Sequence, residues 1–318
     1  MRLRVTLVGV AIGITLAPLA YFGWTQLELL RDWEAEDVLI VEEAAAASGS
    51  WDDADWETFE SKVRWAAGER LDTLSLGRAM VELGRSFVGT PYVPRTLEAE
   101  GPERLVIDFG GLDCVTLVEN VFAMSRFIRA GGAELLGDRA ASEDRYESLL
   151  AEMRYRDGSI DGYPSRLHYF SDWVTDNTRR GLVDDLSDDL GGVFDTEPID
   201  FMTTHTAAYR QLAEPEHVAL VREAEARLTA AGRHFVPEGR IAEVVHRISD
   251  GDIIAATSTV AGLDVAHTGL ALWLDGALHL LHAPLVGDSV QISEVPLADR
   301  ILRIEGQDGI LVARPLER

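Results

Sequence analysis

The stretch "GLDCVTLVENVFAMSRFIR", residues 111–129, decides the fold and contains the only cysteine of the chain, Cys114. Asp113 is a residue type that caps helices well, so the stretch predicts a helix from Cys114 to about Arg129. Helical spacing places the apolar residues of this stretch on one face, which we expect to be buried. These residues are Leu117, Val118, Val121, Phe122 and Ile128.

The single cysteine has two interpretations. It cannot form a disulfide within its own chain, so it is either a small buried hydrophobic residue or a reactive group. In the first turn of a helix, a thiol lies near the positive end of the dipole and near unpaired backbone N–H groups. Both favour the thiolate, and the N–H of Cys114 itself could donate to an oxyanion.

The C-terminal third contains short apolar runs separated by Gly, Asp and Pro, a pattern typical of β-strands. The runs are "GDIIAAT" (251–257), "AHTGLALWL" (266–274), "ALHLLHAP" (277–284), "SVQISEV" (289–295) and "ILRIEG" (301–306). Helical patterns precede them, at residues 76–87 and 216–232. Helices followed by a meander of strands predict an α+β fold with an antiparallel sheet.

Two histidines are expected to share a face of this sheet. The "DG" pair at residues 275–276 predicts a tight hairpin. In the register set by that turn, His267 and His282 lie diagonally on one face and His279 lies on the other.

Together with the cysteine, these histidines could form a catalytic group. Cys114 would be the nucleophile, His267 the general base and acid, and His282 the group that orients the base. The alternative is a buried cysteine and two ordinary strand histidines.

The chain carries 29 basic and 54 acidic residues, a net charge of −25. Neutralising phosphates requires a basic face, so nucleic acid is excluded as a partner. Electrostatic binding to anionic lipid is excluded for the same reason. The acidic surface indicates solubility or a salty habitat.

The N-terminus predicts export. Two arginines precede an uncharged run, so residues 1–24 are expected to be a membrane anchor or a cleaved signal peptide. Residues 25–50 are acidic and Ala-rich, typical of a linker helix, and residues 51–318 form the folded domain. The protein is therefore expected in the cell envelope, either attached to the inner membrane or secreted after cleavage.

No cofactor is expected. Four further histidines lack the HExxH spacing of a zinc site, and no CxxC pair, Walker-type loop or dinucleotide fingerprint occurs. The histidines in question are His205, His217, His234 and His246.

Four blocks of sequence, in order, resemble the N-acetylmuramoyl-L-alanine amidase-like branch of the NlpC-type cysteine hydrolases. They are "GTPYVPRTLE" (89–98), "LDCVTLVENVFAMSR" (112–126), "YRDGSIDGYPSRLHYFSDW" (155–173), and "GDIIAATSTVAGLDVAHTGLALW" (251–273) with "LHLLHAP" (278–284). The resemblance implies a papain-like fold, in which the cysteine-bearing helix packs on an antiparallel β-sheet. It also implies cleavage of the amide between N-acetylmuramic acid and L-alanine in peptidoglycan or a muropeptide.

The resemblance also implies roles for individual residues. Cys114 matches the nucleophile, His267 the base and His282 the third polar member. Tyr92 of "GTPY" matches a tyrosine near the oxyanion and the substrate. Where the family more often has "HVG" and "HAS", this chain has "HTG" and "HAP", and Pro284 could end the strand just after His282.

The block "SRLHYF" (165–170) belongs to this branch, so it implies that Arg166, His168 and Tyr169 line the substrate pocket. Arg166 could bind a carboxylate through two hydrogen bonds, or it could form a structural ion pair. Glu119 is expected to face either the substrate or the solvent.

Two other functions stay open. One is a peptidoglycan endopeptidase that cuts within the stem peptide. The other is a non-catalytic module that binds the cell wall.

Overall fold

The computed structural model describes residues 51–317. The predicted anchor or signal (1–24) and the predicted linker helix (25–50) lie outside the described residues. Within the described part of the chain, no helix has the length and apolar character needed to cross a membrane.

Helices form most of the first two thirds of the described chain, as the sequence predicts. They are α1 (Asp53–Gly68), α2 (Leu76–Arg85), α3 (Cys114–Arg129), α4 (Arg139–Arg154), α5 (Phe170–Arg179), α6 (Phe201–Thr204), α7 (Pro215–Ala231), α8 (Glu238–Val244) and α9 (Leu297–Arg303). Short 3₁₀ turns connect several of them. These turns are Leu71–Thr73, Gly132–Gly137, Arg156–Gly158, Tyr163–Ser165, Thr206–Ala208, Arg210–Ala213 and Val245–Arg247.

The strands form one antiparallel sheet with the order β2-β3-β8-β4-β5-β6-β7, and β1 pairs with the far end of β8. They are β1 (Val183–Asp185), β2 (Val193–Asp195), β3 (Arg233–Pro237), β4 (Ile253–Ser258), β5 (Val265–Leu274), β6 (Ala277–His282), β7 (Gln291–Ile292) and β8 (Gln307–Pro315). The fold is therefore α+β, as predicted.

Apolar residues cover both faces of the sheet, because alternate residues of a strand point to opposite sides. On one face, Leu270 and Leu281 belong to the core that includes α2, α3 and α4. On the other face, Leu280 and Ala256 belong to a second core with α8 and α9. Cys114 begins the helix on the first face.

The β5–β6 hairpin has the predicted turn. Asp275 and Gly276 have φ values of 50° and 83°, the left-handed conformation that a two-residue hairpin turn requires. Leu274 pairs with Ala277 and Leu272 with His279, which places His279 on the face opposite to His282. The predicted register is confirmed.

The prediction of a strand at "ILRIEG" (301–306) is wrong. Its first residues end helix α9, which begins after Pro296, and strand β8 starts only at Gln307. Leu297 and Ile301 are one helical turn apart, and both are fully buried in the second core. Packing of this helical pair outweighs the strand propensity of the isoleucines.

Candidate active site

Cys114 is fixed at the start of α3 by its neighbour. The Asp113 carboxylate accepts hydrogen bonds from the backbone N–H groups of Val115 (3.0 Å) and Thr116 (2.8 Å). The Thr116 hydroxyl accepts one from the Asp113 N–H at 2.8 Å, which completes a capping box. The predicted cap is confirmed, and the thiol is half-buried in the first helical turn.

Thr268 joins the cysteine to the sheet. Its hydroxyl donates to the Cys114 carbonyl oxygen at 2.8 Å, and Thr268 lowers the pKa of the thiol, an effect smaller than that of burial. The ladder between β5 and β6 ends at the Leu270–Leu281 pair, so Thr268 lies two residues outside it. Thr268 directly follows His267 in β5, so this contact brings the cysteine to the strand that carries the proposed base.

The two predicted histidines form a hydrogen-bonded pair. His267 Nε2 lies 2.7 Å from His282 Nδ1, and the rings are nearly perpendicular. Both side chains are buried. Strand β6 ends at His282, two residues before Pro284, and the pair is intact. Nε2 of His267 is occupied by this contact, and its Nδ1 has no hydrogen bond with any residue in 51–317.

Burial sets the protonation state of the group. It lowers the pKa of His267 and His282 well below the ordinary value, and the charge of Arg300 acts in the same direction. Burial, with a smaller effect of the Asp113 carboxylate, raises the pKa of the Cys114 thiol to about 11. Imidazoles and thiol are therefore all neutral at pH 7, and the expectation of a thiol that favours the thiolate is wrong for the free protein.

Tyr92 lies beside this cluster. It forms an isolated bridge with Leu112, and its backbone N–H donates to the Asp288 carbonyl oxygen at 2.9 Å. Burial raises the pKa of the Tyr92 phenol, with further contributions from Cys114 and Asp113. The tyrosine is therefore neutral and close to the thiol.

Arg166 lies in an ion pair, the alternative that the sequence left open. Its guanidinium bonds the Glu98 carboxylate and the Leu97 carbonyl oxygen, and its Nε lies 3.7 Å from Glu103. Side-chain exposure is 5% for Arg166 and 3% for Glu103. The charge of Arg166 is thus paired with carboxylates of the protein itself.

His168 and Tyr169 also bond protein groups. His168 Nε2 lies 2.9 Å from the Tyr163 carbonyl oxygen. The Tyr169 hydroxyl donates to the buried Glu225 carboxylate at 2.7 Å and accepts from the Met202 N–H at 2.8 Å. These contacts tie the "SRLHYF" segment to α6 and α7.

The chain matches the AmiA-like family, described as N-acetylmuramoyl-L-alanine amidase-like, over residues 82–307. It belongs to this family.

Solved structures agree with the family. Two crystal structures of an N-acetylmuramoyl-L-alanine amidase from Bacteroides uniformis ATCC 8492 are 38% identical to this chain, with TM-scores of 0.70 and 0.71. Each alignment covers 77% of this chain and 100% of the amidase. The protein LPG0564 from Legionella pneumophila, 20% identical, shares the fold with a TM-score of 0.61 over 83% of this chain and 96% of its own. Comparison with curated proteins gives no match.

In this AmiA-like chain, Glu119 is neither solvated nor facing a substrate, so that expectation is wrong. Its side chain is 2% exposed and accepts from Arg154 at 2.6 Å and from the Trp173 indole at 3.2 Å. An arginine and a tryptophan distant in sequence make this core position suitable for a carboxylate, and no local pattern reveals them.

Arg300 of the AmiA-like chain is a site residue that the sequence did not indicate. It is half-buried on α9, next to Ile301, and makes no ion pair with any residue in 51–317. Its one side-chain hydrogen bond, to Gln307, is 3.5 Å long. Its charge acts on both histidines, and burial lowers its own pKa to about 10.

Proposed function

We propose that this chain is a cysteine-dependent peptidoglycan amidase that cleaves the bond between N-acetylmuramic acid and L-alanine. Membership of the AmiA-like family supports a peptidoglycan amidase-like function. The NlpC-type, papain-like branch is part of the same proposal. The arrangement of a cysteine-headed helix on an antiparallel sheet supports it.

One observation carries the mechanism. The buried imidazoles of His267 and His282 share a hydrogen bond of 2.7 Å. Thr268, which follows His267 in β5, donates a hydrogen bond to the Cys114 carbonyl oxygen. These contacts support the roles proposed for Cys114 as nucleophile, His267 as base and His282 as the group that orients the base. Thiol hydrolases use these three groups together.

In the first half of the reaction, the Cys114 sulfur attacks the lactyl carbonyl carbon. The thiol proton passes to Nδ1 of His267, while His282 holds the imidazole through Nε2. The backbone N–H of Cys114 and the neutral Tyr92 hydroxyl are suited to donate to the oxyanion. His267 then gives its proton to the L-alanine nitrogen, the C–N bond breaks, and the stem peptide leaves.

In the second half, water hydrolyses the thioester. His267 accepts a proton from the water, the hydroxide attacks the acyl carbon, and the Cys114 sulfur leaves and regains a proton. The lactyl carboxylic acid of the muramyl residue is released. Because thiol and imidazole start neutral, the proton transfer accompanies the attack rather than preceding it.

Product masses test this function. A purified muropeptide is incubated with the wild-type chain, Cys114→Ala or His279→Ala, and the products are analysed by mass spectrometry. His279 lies on the opposite face of β6 and, within residues 51–317, bonds only Ser293 groups, so its variant is the matched control. We expect free stem peptide from the wild type and His279→Ala, and none from Cys114→Ala.

Other products would contradict the proposal. Fragments that keep L-alanine on the sugar would make the chain an endopeptidase. Binding without any turnover would make it a cell-wall-binding module. Equal products from wild type and Cys114→Ala would exclude the cysteine as nucleophile.

We further propose that the protein acts in the cell envelope, with residues 1–24 as a membrane anchor or a signal peptide. The two arginines before an uncharged run support this location. Fractionation of expressing cells tests it: the full-length mass in the membrane fraction indicates an anchor, and a shortened soluble form indicates a signal. Full-length protein in the cytoplasmic fraction would overturn the proposal.

A further inference from the structure

A second concave site lies between α5, α7 and the β2–β3 edge of the sheet. Its cavity measures about 460 Å³, within the range of small-molecule sites. Cys114, His267 and His282 do not line it. It is therefore distinct from the candidate active site.

The carboxylates that line this cavity already have partners. Arg156 holds Asp172 through hydrogen bonds of 3.0 and 2.5 Å. Asp176 accepts from Arg180 at 2.8 Å, and Asp185 accepts from a backbone N–H at 2.9 Å. Asp172 and Asp176 are paired with arginines, whereas Asp185 is exposed and makes no ion pair with any residue in 51–317.

Two arginines of the cavity keep free donors. Arg227 is exposed and has no hydrogen bond or ion pair with any residue in the described range 51–317. Arg233 bonds Asp195 at 2.5 Å and donates to the Glu197 carbonyl oxygen at 3.4 Å, and its buried Nε has no partner among the described residues. A buried N–H without an acceptor costs free energy, so an acceptor from a ligand would be stabilising here.

The cavity also has an apolar side. Leu228 and Ile199 are buried, and Phe194 on the edge strand β2 is 59% exposed. A ring so exposed beside a cavity is suited to pack against an apolar part of a ligand.

We propose that this cavity binds the free carboxylate of a peptide, with Arg227 and Arg233 as donors and Phe194 against an adjacent side chain. On the proposed function, which this inference deepens, the peptide is the stem peptide released from peptidoglycan and the group is its terminal carboxylate. The net charge of −25 repels anions from most of the surface. Local cationic donors would therefore give the site its selectivity.

The cavity shares one hydrogen-bonded contact with the segment that leads into β5. Ser171, which lines the cavity, donates its N–H to Asp264 at 2.8 Å, and Asp264 is three residues before His267 in the chain.

Binding of a product peptide tests the proposal. The probe is the tetrapeptide L-Ala-γ-D-Glu-L-Lys-D-Ala with a free C-terminal carboxylate, or the same peptide with a C-terminal amide. Affinity for the full-length chain is measured by titration calorimetry for wild type, Arg227→Gln and Arg222→Gln. Arg222 is an exposed arginine on the same helix that does not line the cavity, so it is the matched control.

We expect the acid to bind wild type and Arg222→Gln equally, and Arg227→Gln roughly tenfold more weakly. The amide should bind wild type roughly tenfold more weakly than the acid. Its affinity for Arg227→Gln should equal its affinity for wild type. Equal affinity for acid and amide would overturn the proposal, as would equal affinities of the two variants or no binding at all.

The probe lacks the scissile amide, so the two proposals fail separately. Binding that depends on Arg227, without muropeptide cleavage, would refute only the proposed function. Cleavage without such binding would refute only the cavity site.

Discussion

Two polar regions of this chain, both expected from the sequence to belong to the functional site, differ in structure. The thiol–imidazole cluster comprises Cys114, His267 and His282, and the "SRLHYF" segment contributes Arg166 and Tyr169. In the cluster, burial keeps every member neutral, and Nδ1 of His267 has no hydrogen-bond partner among the described residues. In the segment, the arginine is charged and held by two glutamates, and the tyrosine bonds a third.

The difference shows what a buried polar group is suited to do. A charged group that is paired within the protein supports the fold, because its removal leaves the opposite charge of its partner without compensation. A neutral thiol can give its proton to a neutral imidazole that a second imidazole holds by a hydrogen bond. No buried charges have to be separated before this transfer. We therefore expect changes in the cluster to affect turnover and changes in the segment to affect stability.

The largest effect is expected from His267→Ala. Loss of the general base should lower kcat/KM for the muropeptide about a thousandfold, with little change in the melting temperature. Steady-state kinetics and thermal unfolding measure the two quantities, with His279→Ala as the control. A variant with near wild-type kcat/KM would remove His267 from the mechanism.

Arg166→Met should act on stability. It leaves Glu98 and Glu103 without their cation, so the free energy of unfolding should fall by about 3 kcal/mol in urea titrations. The double variant Arg166→Met/Glu98→Gln should recover part of the loss, because one unpaired charge is removed. Unchanged stability with a raised KM would instead make Arg166 a substrate-binding residue.

Arg300→Gln should change the pH profile of the cluster. A nearby cation disfavours the imidazolium, so Arg300 lowers the pKa of His267 and His282. Removing its charge should raise both pKa values, and the acid limb of kcat/KM should move to higher pH. Arg303→Gln, an exposed position on the same helix, should leave the limb in place. Identical shifts in the two variants would contradict a specific effect of Arg300.

Asp113→Asn should give the smallest effect. Asparagine can still cap α3, but the negative charge that helps to raise the pKa of the Cys114 thiol is lost. The thiol pKa should fall below about 11, so iodoacetamide should alkylate the variant a few times faster at pH 8. An unchanged alkylation rate would show that burial alone sets the thiol pKa.

The parts of the fold that local chemistry determines could be predicted from the sequence. Helix α3 follows from the Asp113 cap and helical spacing, and the β5–β6 hairpin follows from "DG" at 275–276. Strand alternation then places His267 and His282 on one face. These signals involve residues close together in the chain, or one register set by a turn.

The parts that depend on distant partners could not be predicted. Thr268 meets Cys114 across 154 positions, and Arg166 meets Glu98 across 68. The thiol pKa likewise depends on burial by the whole fold, which outweighs the helix position that the sequence reveals. Helix α9, which brings Arg300 to the cluster, forms because Leu297 and Ile301 pack on the sheet.

The most direct test of the central claim uses the sole cysteine. The wild-type chain is treated with iodoacetamide at pH 9, where more of a thiol with a pKa of about 11 is ionised, and sampled over time. Intact mass gives the fraction of Cys114 modified, and muropeptide cleavage gives the activity of the same samples. We predict that activity falls in proportion to the modified fraction and disappears when every chain carries one adduct. A fully modified chain that still releases stem peptide would contradict the account.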